Sequence, residues 1–226
     1  MILKTAQRFR NGSLKPLDVL HDCLTQIEVR KDLNAFNSVV DKEKLESLAV
    51  ESTNRWKQGT QKSALDGIPI AVKDNIFVKG EPMTCSSKFL ESFVAPFDAT
   101  AVRLLKEAGC LIVGKTNMDE FGMGSLGIHC AKPTLNPIDP TMYAGGSSSG
   151  SACAVKAGMC LAALGSDTGG SVRLPALFCG VTGFKPSYGK ISRYGLTAYA
   201  SSLDCVGFLS NSISDSAALF GTIFLF

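Results

Sequence analysis

Two serine- and glycine-rich stretches could do chemistry in this chain: YAGGSSSGSACAVKAG at 143–158 and GSDTGGSVRLPALFCG at 165–180. A serine hydroxyl becomes a useful nucleophile only when a nearby base takes its proton. GSSSG at 146–150 fits a G-x-S-x-G turn centred on Ser148, but that turn draws on a histidine later in the chain. Both histidines, His21 and His129, come before it. His129 sits in an LGIHC segment with nothing beside it that marks a base; a structural role is expected, with a permuted Ser–His pairing left open. Lysine is the other base available to serine, provided burial or nearby positive charge keeps it neutral. Lys73, at the end of the apolar run GIPIAVKDN, has such a place, although a lysine at a strand end is by itself more often a solvated charge.

A second pattern competes. GCLIVGKT at 109–116 matches the G-x-x-x-x-G-K-[ST] phosphate loop letter for letter. Its four middle residues are Cys-Leu-Ile-Val, which belong in a buried strand, so the two glycines bracket a strand and the match reads as chance.

The elements around these residues alternate between helices and strands. Leu17, Leu20, Leu24 and Ile27 recur at helical spacing behind Pro16 and predict a helix over 16–29. A second helix is predicted from Asp41 to Gln58, before Gly59. GIPIAV at 67–72 and CLIVG at 110–114 read as buried strands. Between them, DATAVRLLKEAG at 98–109 reads as a helix capped by Asp98 and stopped at Gly109. Such alternation predicts an α/β sheet covered on both faces.

Composition bounds the partners. Lys and Arg exceed Asp and Glu by 23 to 20, without a basic run long enough to hold nucleic acid or lipid, so any nucleic acid is expected on a partner. The eight cysteines are scattered without a C-x-x-C pair and read as reduced core residues, and no metal site is expected. The apolar stretch at 217–226 is far short of the ~20 residues of a membrane span, so no membrane partner is expected. The first seventeen residues carry Lys4, Arg8, Arg10 and Lys15 with no acid, a bias that suits either an organelle transit segment or a helix with a basic face.

In order and spacing, GIPIAVKDN, GGSSSGSACAV and GSDTGGSVRLPALFCGVTGFKPSYGKISRYG resemble the amidase signature family, over about residues 14 to 221. Within it, GKTNMDEFGMGS at 114–125 and SRYGLTAYASSLDCVG at 192–207 are most similar to A subunits of tRNA-dependent amidotransferases. The resemblance implies a triad with Ser171 as nucleophile, Ser147 as bridging serine on a cis Gly146–Ser147 peptide, and Lys73 as base. It implies that N–H groups of Thr168, Gly169 and Gly170 bind an oxyanion at a short helix beginning at Ser171. Ser149 stands where family members usually have glycine, so a positive φ there would be strained.

The implied fold is a mixed central sheet with helices on both faces, a single domain over 1–226 that is incomplete at its C-terminus, since family members are considerably longer. The other half is expected to grip the amino-acid end of glutamine, so this chain alone is expected to be poorly soluble and inactive. The implied function is glutamine hydrolysis that feeds ammonia to partner B- and C-type subunits, which hold Glu-tRNA(Gln) and use ATP and Mg; no cofactor is expected in this subunit. Alternatives are a stand-alone amidase for small or acyl amides and a catalytically impaired assembly subunit. The expected compartment is the mitochondrial matrix, with the cytoplasm as the alternative.

Overall fold

Apolar runs punctuated by glycine and proline form the buried centre of a sheet. A computed structural model describes residues 1–224. Its strands are β1 (Phe36–Val39), β2 (Pro69–Lys73), β3 (Leu111–Thr116), β4 (Ala162–Asp167), β5 (Thr182–Phe184) and β6 (Cys205–Ser210). They pair in the order β1-β3-β2-β4-β6-β5. The inner three, β3, β2 and β4, are parallel, while β1 on one side and β6 and β5 on the other pair antiparallel with their neighbours. Every residue of β2, β3, β4 and β6 is buried.

Side chains alternate across the pleat, so neighbours in one strand feed different cores. Ile70, Val72 and Leu164 join one core with Phe208, Leu105 and Leu219, whereas Ala71, Ala163 and Leu209 join the other with Leu20, Leu45 and Val155. The helices are α1 (Ile2–Arg10), α2 (Pro16–Val29), α3 (Lys42–Gln58), α4 (Thr100–Glu107), α5 (Ser149–Lys156), α6 (Arg173–Cys179) and α7 (Ile213–Ile223). Apolar residues of α1, α4 and α7 join the first core and those of α5 the second, while α2 and α3 feed both, Val19, Cys23 and Trp56 the first and Leu20, Leu45 and Ala49 the second; this is the two-faced α/β arrangement that the alternating pattern predicts.

Helix ends follow local chemistry, with two departures from expectation. α2 begins at Pro16, and α3 is capped by Asp41, which accepts from Lys44 N at 2.9 Å, and ends at Gly59 with φ +70°. Asp98 does not cap α4: its carboxylate accepts from Lys79 N at 2.8 Å and from Lys106 Nζ at 2.7 Å, and Ala99 takes the cap position. α6 starts at Arg173 instead of Ser171, because Pro175 has no N–H to give the Ser171 carbonyl, which accepts from Ser148 N instead. The apolar stretch at 217–226 contributes to α7, and its last two residues lie outside the described ones. Among the described residues no helix is long and apolar enough to cross a membrane.

One buried ion pair ties α3 to the approach of β2. The fully buried Asp66 carboxylate takes Arg55 Nε and Nη2, each at 2.7 Å, and Lys62 N at 2.9 Å, while its carbonyl accepts Trp56 Nε1 at 2.9 Å. Burial raises the carboxyl's pKa, but Arg55 and the Lys62 N–H outweigh it and hold it below its ordinary value. Its stabilising effect is therefore present above the usual carboxylate range and lost as pH falls through the lowered pKa. Asp66→Ala should cost about 3 kcal/mol in urea unfolding, by leaving the guanidinium and the N–H unpaired. The deficit relative to wild type should shrink in acid; a deficit independent of pH would show that the carboxylate's charge is not what stabilises.

Candidate active site

The parallel pairing of β2 with β4 sets Val72 against Leu164, so the C-terminal ends of both strands open at the same place. β2 delivers Lys73 there, and β4 delivers Ser166 and Asp167. Lys73 is fully buried. Its Nζ lies 2.7 Å from Ser147 Oγ, 2.8 Å from Ser166 Oγ and 3.3 Å from the Ser166 carbonyl. Asn75 Nδ2 donates to the same Ser166 Oγ at 3.0 Å. Burial lowers the Lys73 pKa to about 7, with the charges of Asp119 and Asp167 working in the opposite direction. A neutral amine has two protons and one lone pair for these three oxygens, so one of the two hydroxyls must donate to it.

The turn before α5 supplies Ser147. The Gly146–Ser147 peptide is cis. A Cβ at Gly146 would lie 2.1 Å from Asp119 Oδ2 and 2.7 Å from Gly127 N, so only glycine fits. Asp119 is buried against this turn: its N–H donates to the Ser147 carbonyl at 3.2 Å, and its carboxylate accepts from Gly127 N at 3.1 Å and His129 N at 2.9 Å. His129 thus acts through its backbone, and the residue is exposed. Ser148 is fully buried, with its hydroxyl donated to the Ser166 carbonyl at 3.2 Å, an enclosed setting unlike an exposed elbow serine. Its N–H donates to the Ser171 carbonyl at 3.0 Å, which joins the two serine stretches. Ser149 opens α5 and is not among the residues with positive φ, so the side chain at this position brings no backbone strain.

Ser171 is half-buried in a cleft of about 170 Å³, with Thr168, Gly146, Ser125, Leu174 and Tyr199 around it. Its hydroxyl has no hydrogen-bond partner among the described residues, Ser147 Oγ included. The 168–171 loop, expected to bind an oxyanion through Thr168, Gly169 and Gly170, differs from expectation at Gly170, whose N–H is taken by Asp167 Oδ1 at 2.7 Å. Among the described residues the N–H groups of Thr168, Gly169 and Ser171 have no acceptor and are free for a ligand. Asp167 also accepts Val172 N at 3.0 Å and is bonded to both Arg173 Nε and Nη2 at 3.0 Å. Burial raises its pKa, but Arg173 and these N–H groups bring it below its ordinary value.

Sequence reasoning did not single out Asn75, Ser166, Asp119 or Asp167. All four lie inside the quoted motifs, but their roles depend on contacts between segments distant in the chain, which no local marker shows. The phosphate-loop match is a strand: 111–116 is β3, and its Lys115 is buried in an ion pair with Asp74 at 3.1 Å. Among the described residues no cluster of His, Cys, Asp and Glu could hold a metal. All eight cysteines are unpaired, and only Cys130 is less than fully buried.

Comparisons with known proteins add independent support. The Amidase family profile matches residues 18–224. The chain is 45% identical over 225 residues to the A subunit of glutamyl-tRNA(Gln) amidotransferase from Endomicrobium trichonymphae, covering 96% of this chain and 46% of that protein. It is 47% identical over 225 residues to the mitochondrial A subunit of the same enzyme from Anopheles gambiae, covering 95% and 45%. The native peptide amidase of Stenotrophomonas maltophilia superposes with a TM-score of 0.90 at 29% identity, over 100% of this chain and 48% of that one. The chain spans about half the length of the curated relatives it matches. Family profile, sequence relatives and superposition agree with the serine and glycine motifs: the chain belongs to the amidase family.

Proposed function

We propose that Lys73, Ser147 and Ser171 form a proton relay and nucleophile for amide hydrolysis, and that the amide is the side chain of glutamine. The observation that carries this reading is the 2.7 Å contact of the buried Lys73 amine with Ser147 Oγ, at the edge of the cleft that holds Ser171. As Ser171 Oγ attacks the amide carbon, its proton passes to Ser147, which passes its own to neutral Lys73. The oxyanion is held by the N–H groups of Thr168, Gly169 and Ser171. Collapse breaks the C–N bond; the proton returns from Lys73 through Ser147 to the leaving nitrogen, and ammonia departs from an acyl-Ser171 ester. Water then attacks the ester, giving its proton to the same relay, and releases glutamate and the Ser171 hydroxyl.

The relatives named as A subunits of glutamyl-tRNA(Gln) amidotransferase support placing this activity in a tRNA-dependent amidotransferase. In that reading B- and C-type partners receive the ammonia, hold Glu-tRNA(Gln) and use ATP with Mg, and this subunit needs no cofactor. The mitochondrial relative supports a matrix location, and the bacterial one supports the cytoplasmic alternative. A second reading, a stand-alone amidase, is favoured by the close superposition on a peptide amidase. Assaying glutamine and peptide amides side by side, with and without B- and C-type subunits, separates the two.

In the assembled enzyme, Ser171→Ala should abolish the acyl-enzyme seen by mass spectrometry after rapid quench with glutamine. An adduct that persists, or that maps to Ser148, would remove Ser171 from its role.

The Lys73 base must be neutral, so kcat/KM should fall about tenfold per pH unit below pH ~7 and level off above it. Lys73→Arg keeps the charge but cannot release its proton, and should be as inactive as Lys73→Ala. The depressed pKa also means that the unfolded chain binds more protons than the folded one between about 7 and 10.5, so stability should rise with pH across that window and lose this slope in Lys73→Met. A flat rate profile from pH 5 to 9 would contradict the lysine base.

A further inference from the structure

The antiparallel register that sets Asp167 against Cys205 places Thr168 opposite Asp204, one residue beyond the ends of both strands. Asp204 is 4% exposed. Its Oδ1 accepts Thr168 Oγ1 at 2.7 Å and Ala200 N at 3.1 Å, and its Oδ2 accepts Tyr199 N at 2.9 Å and Ala200 N at 3.2 Å. One carboxylate therefore joins two segments that both line the Ser171 cleft. One is the 168–171 loop with its free N–H groups. The other is the 199–204 turn, which sets Tyr199 against the cleft; the Tyr199 residue is 52% exposed and its hydroxyl has no partner among the described residues.

We propose that Asp204 is a positioning residue for the hydrolysis: it fixes the 168–171 loop through Thr168 and the 199–204 turn through Tyr199, so that two parts of the cleft lining are set by a single side chain. The proposal rests on the reading that Ser171 is the nucleophile and extends it. Only an ionised carboxylate suits three converging donors, because it accepts on both oxygens. An asparagine would present one oxygen and turn an N–H₂ group toward a donor. The Thr168 hydroxyl matters as a tether, whereas its backbone N–H meets the substrate, so the two contributions can be separated by changing the side chain alone. Tyr199, with its phenol free in the cleft, contacts the part of the substrate beyond the amide and influences which amide is accepted.

The test uses the full-length protein in complex with its B- and C-type partners and follows glutamine hydrolysis. Thr168→Val keeps the size and the N–H but removes the tether; kcat should fall about tenfold, as for a small misplacement of reacting groups, with KM within about twofold of wild type. Thr168→Ser restores the hydroxyl and should restore kcat. Asp204→Asn should lower kcat at least as far, and combining it with Thr168→Val should lower it no further, since both remove the same tether. Tyr199→Ala should act mainly on KM. Full kcat in Thr168→Val, or failure of Thr168→Ser to restore a lost kcat, overturns the positioning role. Ser171→Ala serves as the reference: if it remains active, or if the wild-type complex hydrolyses no glutamine, the nucleophile reading falls instead.

Discussion

Everything in the site depends on removing one amine from water. Lys73 sits at the end of a strand whose five residues are all buried, and desolvation, only partly offset by the charges of nearby carboxylates, brings its pKa down to about 7. The protein opposes this with nearby carboxylates, yet none of them makes direct contact with Nζ; its partners are two hydroxyls and a carbonyl. The neighbouring lysine has different contacts. Lys115, on the adjacent strand, is equally buried and its pKa is also lowered by burial, but its Nζ is bonded to the Asp74 carboxylate, which favours the charged form. Two buried lysines on neighbouring strands thus differ in their contacts, one bonded to a carboxylate and one to hydroxyls and a carbonyl.

The sheet makes this possible because parallel strands end together. β2 and β4 bring Lys73 and Ser166 side by side, and β6 returns antiparallel to set Asp204 beside Thr168. Pro175 then keeps the segment after β4 from becoming helix at once, since it has no N–H for the Ser171 carbonyl, and Ser171 is left in a turn facing the cleft. Asp167 takes the N–H groups of Gly170 and Val172, and among the described residues Thr168, Gly169 and Ser171 keep free donors.

Much of the fold was legible because its signals are local. The limits of α2 and α3 follow from Pro16, Asp41 and Gly59, and the apolar runs around Ile70 and Ile112 mark strands whatever surrounds them. The pairing of Lys73 with the serines was legible only through motifs in common order, since no local rule links residues so far apart. What escaped the sequence reading depends on tertiary partners. Asp98 reads as a cap until Lys79 and Lys106 reach it from elsewhere. Asn75 and Ser166 gain meaning only when β2 and β4 pair, and the helix placed at Ser171 starts later because Pro175 gives no N–H to the Ser171 carbonyl, which Ser148 N takes from another segment.

The sheet order has a consequence for how this protein comes into being. β2 lies between two strands that both follow it in sequence, and Lys73 reaches Ser166 across 93 residues of chain. A chain emerging from its N-terminus makes β2 long before either neighbour, so until β4 arrives one side of an apolar strand lacks its partner and the lysine remains hydrated and charged. Contacts of such long sequence separation fold slowly, because loop closure must precede their reward. The buried, hydroxyl-bonded amine is therefore formed only when the centre of the sheet closes, which makes the Lys73 environment a late reporter of native structure in this fold.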